Sequence, residues 1–335
     1  MNKPITIKEI ARDLGVSFST VSKSLNDSSE ISEKTKKKVK EYAALRGYTP
    51  NQIALSLKNS ATYTIGVIIP DIQNSFFASV LKNIEIHAKS YGYRIVTFFT
   101  NETLKEEEES LKILSKGLVD GLIVCPSDET FKKKKFDHFN AIKNMNTPVL
   151  IFDRVDDNLE FDSVSVDDYK SIISALDYLY EKGARDIVLA SAIPDVSVGK
   201  KRKEAFEKFI TDNPEVNGTI LEADDNTVLK SMLYEALDTK KVDAVLGVDI
   251  ESTSLANAVV SMLGKTYKEE ISLIGYVNKQ FNRLIHPRVS YINQYPEKIG
   301  QIAVDMIVDK IKIGNSKLLN KEVIETTLAI KDTSR

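Results

Sequence analysis

Residues 17–26, SFSTVSKSLN, place hydroxyl, amide, ammonium and aromatic groups at helical spacing. Val21 and Leu25 fall on one side of such a helix; Phe18, Ser19, Ser22, Lys23 and Asn26 share the opposite arc. Polar groups of these kinds meet phosphate oxygens and base edges, and an apolar ring can touch a thymine methyl. The chemistry this implies is recognition rather than bond-making. Motifs for catalysis are missing from the sequence: there is no G-x-x-x-x-G-K-S/T and no H-E-x-x-H. His87, His138 and His286 are scattered without metal-ligand spacing. The runs Glu106–Glu109 and Lys132–Lys135 read as solvated helix faces. Cys125 is the single cysteine, so no intrachain disulfide forms, and its apolar run marks it as a small buried hydrophobe. No catalytic residue, metal or cofactor is expected.

The recognition arc needs two helices to hold it. Ile7, Ile10, Ala11 and Leu14 follow the i, i+3, i+4, i+7 pattern of one apolar helix face. Gly15 follows, where a sharp turn with positive φ is cheap, and Ser17 can cap the second helix. Ala11 is small where the two helices would cross. This is the arrangement of a helix-turn-helix, although an αα-hairpin in a core has the same spacing. A third helix follows, with Ser32 as cap, Glu33 in its first turn and Val39, Tyr42, Ala43 and Arg46 on one side. Gly47 and Pro50 stop it. Its lysines, Lys34, Lys36, Lys37, Lys38 and Lys40, form a basic face.

Charge is divided unevenly. Residues 1–60 hold 11 Lys and Arg against 6 Asp and Glu, a charge of +5; the other 275 hold 35 against 42, a charge of −7. A basic head on an acidic body suits phosphate binding by the head alone. At 335 residues the chain can bury two or three cores. It has no apolar run of membrane-spanning length and no signal-peptide core at its N-terminus, so a cytoplasmic protein with no membrane partner is expected. From residue 61 short apolar runs alternate with amphipathic ones. Strands are predicted at 64–69, 93–99, 120–125, 148–152, 186–191, 218–223, 242–248 and 271–276, with a strand-like run at 322–330. Helices are predicted near 75–91, 103–116, 131–144, 168–182, 197–212, 225–239, 250–263 and 295–313. The alternation argues for α/β architecture with parallel sheets, and the echo of VDGLIV (119–124) in VDAVLGV (242–248) argues for two similar lobes.

These residues resemble the lac repressor family (LacI/GalR) of bacterial transcription regulators. The likeness lies in T-I-K-E-I-A (6–11), G-V-S (15–17), T-V-S-K (20–23), L-N (25–26), G-Y-T-P-N (47–51) and A-L-S-L-K (54–58). It continues through T-I-G-V-I-I-P-D (64–71), N-S-F-F (74–77), V-D-G-L-I-V (119–124), I-F-D-R (151–154) and S-L-I-G-Y (272–276), essentially the whole chain. The resemblance implies a helix-turn-helix headpiece at 1–49, a hinge helix at 50–60 and a two-lobe periplasmic-binding-protein-like core at 61–335. The lobes are expected at about 61–161 plus 290–316 and 162–289 plus 317–332. It also implies base reading by Phe18, Ser19 and Lys23. Thr6, Ser17, Thr20, Ser22, Asn26 and Lys38 would contact phosphate or support the readers. Residues 51–59 are too few for a stable isolated helix. In the family two such hinges pair on DNA; Asn51, Ala54, Leu55, Leu57 and Lys58 would lie at the minor groove, with Leu57 as an apolar wedge. Leu55 stands where relatives often carry Arg or Gln.

Ligands of open α/β lobes sit at the C-terminal ends of strands, which here include Asp71, Asp153, Asp249 and Asn278. The resemblance adds Phe76, Phe77, Arg202 and Gln294 and implies a small-molecule effector, of carbohydrate class, between the lobes. The sequence departs from the family at Ala205, Val248 and Val277, and Val196 and Val198 are apolar where some relatives are polar. The implied function is an operator-binding regulator, a repressor, that works as a homodimer on a near-palindromic double-stranded operator. No heptad tail follows residue 330, so a dimer rather than a tetramer is expected. The competing readings are a DNA-binding head fused to a sugar-processing enzyme and a ligand-binding protein without a regulatory role.

Overall fold

A computed structural model describes residues 5–48, 61–143, 147–156, 158–314 and 318–335, in two compact units, 1–62 and 63–335. The predicted hinge contacts Asn51, Ala54, Leu55, Leu57 and Lys58 lie outside the described residues.

Among the described residues the first unit has three helices: α1 (Ile7–Leu14), α2 (Phe18–Leu25) and α3 (Glu33–Leu45). Each starts on a side-chain cap. The Thr6 hydroxyl accepts from the Glu9 N–H while Glu9 reaches back to the Thr6 N–H, and Ser17 and Ser32 accept from the N–H groups of Thr20 and Thr35. Gly15 turns the chain between α1 and α2 at φ +66, a conformation that a Cβ would strain. Ile10, Ala11, Val21, Val39 and Ala43 form the core, so the apolar stripes read from the sequence face one another.

The second unit holds two six-stranded sheets. Its elements run β1 (Thr64–Ile69), α4 (Ser75–Ser90), β2 (Arg94–Phe99), α5 (Leu104–Leu114), β3 (Gly121–Val124), α6 (Asp128–Lys133), α7 (Asp137–Lys143), β4 (Val149–Phe152) and β5 (Asp162–Val166). They continue with α8 (Asp168–Glu181), β6 (Asp186–Ser191), α9 (Ser197–Asp212), β7 (Asn217–Glu222), α10 (Asn226–Thr239), β8 (Ala244–Gly247), α11 (Ile250–Met262), β9 (Ser272–Gly275) and α12 (Lys279–Asn282). The last are β10 (Ser290–Asn293), α13 (Pro296–Ile313), β11 (Lys321–Ile324) and β12 (Thr327–Ala329). Sheet order is β11-β5-β4-β3-β1-β2 in the first lobe and β12-β10-β9-β8-β6-β7 in the second. All pairings are parallel except β10 with β12. Helix α13 returns to the first lobe, where Gly300 lets it approach α4: a Cβ there would stand 2.8 Å from the Val80 carbonyl oxygen.

The chain passes between the lobes three times: after β5, after β10, and between β11 and β12. The expected lobe limits at 161/162, 289/290 and 316/317 therefore need correction. β5 and β11 belong to the first sheet and β10 to the second. β5 escaped prediction because DSVSV alternates valine with polar residues, and Ser163 and Ser165 occupy one face. The strand-like run 322–330 is divided between the sheets, with Glu325 and Thr326 at the crossing. The helix expected at 131–144 is two short ones, broken at Lys134 in a left-handed turn (φ +51) that no Gly or Pro announces.

Candidate effector cleft and DNA-reading surface

On the headpiece the Phe18 ring is 53% exposed, with Ser19 exposed beside it. The ring stands on the polar arc and takes no part in the headpiece core, which Val21 joins from the other side of the helix. Lys23 pairs with Glu30, a partner the spacing did not reveal. The Ser17 hydroxyl is occupied by the Thr20 N–H at 3.0 Å and the Thr20 hydroxyl at 2.8 Å, so both side chains first serve the helix start. Asn26 ends α2 and donates its amide to the Ser22 carbonyl at 2.8 Å. The lysine face is not uniform: Lys36 is buried and paired with Glu33 at 2.7 Å, and Lys40 meets Asp27 at 2.5 Å. Lys34 and Lys38 are exposed and have no carboxylate partner among the described residues.

In the core, the ends of β4, β8, β9 and β10 converge on a narrow cleft of ≈ 60 Å³ between the lobes. Phe76, Phe77, Asp153, Arg202, Asp249 and Gln294 all line it, as expected. Asp71 and Asn278 do not. Asp71 accepts from the Gln73 N–H at 2.8 Å, and Asn278 caps α12 by accepting from Gln280 and Phe281. Their short side chains turn back on their own loops, a local use that strand-end position does not disclose. Phe77 packs in the first-lobe core, edge-on to Phe152 and Phe76, while Phe76 stays half-buried at the cleft wall.

Asp153 is buried at 6% exposure, sits at φ +63, and its carboxylate has no hydrogen-bond partner among the described residues. Burial pushes its carboxyl up to about 6, helped by the charge of Asp168 and opposed by Arg154 and Arg202. Arg154, next along, is pinned: its Nη1 and Nη2 donate to Glu102 at 2.6 and 2.8 Å, and Nη1 also donates to the Pro126 carbonyl at 3.0 Å. Its Nε is buried without a partner. Arg202 donates to Asp168 through Nε at 2.8 Å and Nη2 at 2.6 Å, donates to the Val248 carbonyl, and lies 4.0 Å from the Tyr276 ring centroid. The Tyr276 hydroxyl meets Ser171 at 2.9 Å, and burial first of all pushes the phenol up to about 12.

Asp249 lines the cleft as a scaffold residue. It caps α11, accepting from the Ser252 N–H at 2.7 Å, and its other oxygen accepts from the Ala192 N–H at 2.9 Å, tying the end of β6 to α11. Tyr276 and Glu251 line the cleft without having been singled out as site residues, Arg154 was read only as part of a strand end, and Asp168 enters as the ion-pair partner of Arg202. Arg154 adjoins Asp153 at a strand end and was legible. Asp168 and Glu251 are first-turn helix residues, ordinarily explained by the helix dipole. Val198 lines the cleft, and with Val196 it packs on Phe131 of the other lobe, which accounts for their apolar nature.

Residues 6–51 match the family described as bacterial regulatory proteins, lacI family, and residues 65–316 match the periplasmic binding protein domain. The HTH-type transcriptional regulator pepR1 of Lactobacillus delbrueckii subsp. lactis is 31% identical over 97% of this chain and 94% of its own. Catabolite control protein A of Priestia megaterium is 25% identical over 97% and 95%. Among solved structures, the lac repressor dimer bound to operator and the anti-inducer ONPF is similar, with a TM-score of 0.85, 22% identity and coverage of 99% of both chains. A LacI family regulator from Enterococcus faecium with bound ribose has a TM-score of 0.70 at 21% identity, covering 81% of this chain and 98% of its own. Helix-turn-helix, two-lobed core and matched relatives agree: this chain belongs to the lacI family of bacterial regulatory proteins and is a DNA-binding transcriptional regulator, not an enzyme.

Proposed function

We propose that the chain is a repressor that binds a near-palindromic operator as a homodimer and answers to a carbohydrate held between its lobes. The observation that carries this reading is the pair of prepared surfaces: an exposed Phe18–Ser19 arc on a fully capped helix, and a cleft with an unpaired Asp153 at its wall. Phe18, Ser19 and Lys23 read bases; Lys23 leaves Glu30 to do so. Lys38 contacts phosphate. In the cleft, Phe76 offers an aromatic face and Asp153 accepts from ligand hydroxyls. A sugar-sized pocket needs about 300 Å³ or more, so the lobes part to admit it. That motion changes the spacing of two hinge segments in the dimer and shifts their folding equilibrium on DNA.

Similar proteins support both partners: one is seen on operator, another with ribose. Salt-titrated operator binding tests the contacts. Lys38→Ala reduces the salt slope by about 1 and leaves sequence preference unchanged. Leu57→Ala weakens both affinity and operator bending. Unaltered slope, affinity and bending in these variants would refute the assigned roles.

A further inference from the structure

Cation and anion are unequally spent in the cleft. The guanidinium of Arg154 is engaged by Glu102 and that of Arg202 by Asp168, both at hydrogen-bond distance. Both guanidinium charges are thus balanced by ion pairs, and the Arg154 Nε–H is left without a partner at the cleft. The carboxylates are in the opposite state. Asp153 is 94% buried by the complement of its exposure, lines the cleft, and has no hydrogen-bond partner among the described residues. Glu251 lines the same cleft from the second lobe, against Asp249, whose oxygens already hold two backbone N–H groups. Glu251 is half-buried, and its carboxyl is raised first by burial, then by the charge of Asp249. Of cations, Asp153 thus feels only the ion-paired Arg154 and Arg202, and Glu251 has no ion-pair partner among the described residues. Among the described residues no three His, Cys, Asp or Glu are grouped to hold a metal, so the missing cation is not a metal held by such a cluster.

We propose that the cleft takes a polyhydroxylated ligand bearing a protonated amine, an amino sugar in chemical class, with hydroxyls on Asp153 and the ammonium facing Glu251, and that it rejects phosphorylated and carboxylated sugars. An ammonium carries three donors and one positive charge, which matches what Glu251 and Asp249 lack. A phosphate would meet carboxylates at the same place with both arginines already taken. The inference rests on the cleft being the effector site proposed above; Glu251 is the specificity-determining residue it adds.

Calorimetric titration of the full chain tests it. The probes are D-glucosamine, D-glucose and D-glucose 6-phosphate, with the galactose and mannose counterparts of each. In at least one stereochemical series the amine binds about tenfold or more tighter than the neutral sugar, and the phosphate does not bind. Glu251→Gln removes that advantage while keeping affinity for the neutral sugar; Asp153→Asn weakens both. Preference for a phosphate, equal affinity for amine and neutral sugar, silence from every amine, or an amine preference that survives Glu251→Gln overturns the proposal. Operator binding by the same preparation separates the two readings. Retained DNA binding without amine preference sinks only this inference, whereas amine preference without DNA binding sinks the regulator's repressor role.

Discussion

Asp153 carries a carboxylate into a buried wall, in a left-handed backbone conformation, without a donor facing it among the described residues. Such a position costs folding energy and is retained where a ligand repays it. Its folded carboxyl titrates at about 6, against an ordinary 3.8. A raised carboxyl binds more protons in the folded state. The ligand-free core is therefore most favoured below about pH 4 and loses up to about 3 kcal/mol from this group as pH rises through 6. Asp153→Asn removes that step. Melting curves of wild type and variant should converge near pH 4 and separate above pH 6 with the variant more stable; parallel behaviour across the range would contradict the assignment. Asp153 was legible in the sequence because strand ends can be read from apolar runs. The role of Asp249 was half legible: its position was evident, but only the fold shows the Ala192 and Ser252 N–H groups that occupy it.

Elements with strong local signals were read well. The headpiece helices carry caps, a positive-φ glycine and matched apolar stripes, each sufficient to mark a boundary. The region 128–143 has no such signal, and its break at Lys134 follows from tertiary demands. Helix α6 leans on the second lobe: Phe131 packs on Val196 and Val198, and Lys132 meets Asp224 of that lobe at 2.6 Å. We expect the two contacts to act together as a clasp between the lobes. Phe131→Ala removes a buried ring and should shift the lobes toward the open form by about 2 kcal/mol. Asp224→Ala breaks a part-exposed pair and should cost no more than about 1 kcal/mol. Small-angle scattering reads the result: a larger radius of gyration for Phe131→Ala and nearly none for Asp224→Ala. An unchanged radius in Phe131→Ala would remove the clasp.

At the scale of the whole molecule, repetition of lobe architecture was visible in the paired VDGLIV and VDAVLGV runs, while the weave of the chain was not. β5 and β10 each pair with the strand before them, but β11 returns to the first sheet between two strands of the second, and the chain crosses three times in all. β11 is four residues long, and its partner β5 lies far along the chain, beyond the reach of periodicity. The three histidines also resolve at this scale. His87, His138 and His286 each face a different carboxylate, Asp305, Glu107 and Asp332, in separate regions, so they form no shared site. The divided charge, basic in residues 1–60 and acidic beyond, suits phosphate contact by the first unit alone. The most direct measurement is selection of genomic DNA fragments by the full chain, repeated with each member of the sugar panel. The account predicts enrichment of one near-palindromic sequence whose retention changes when a single sugar is present. Absence of any enriched sequence, or enrichment that no sugar alters, would contradict it.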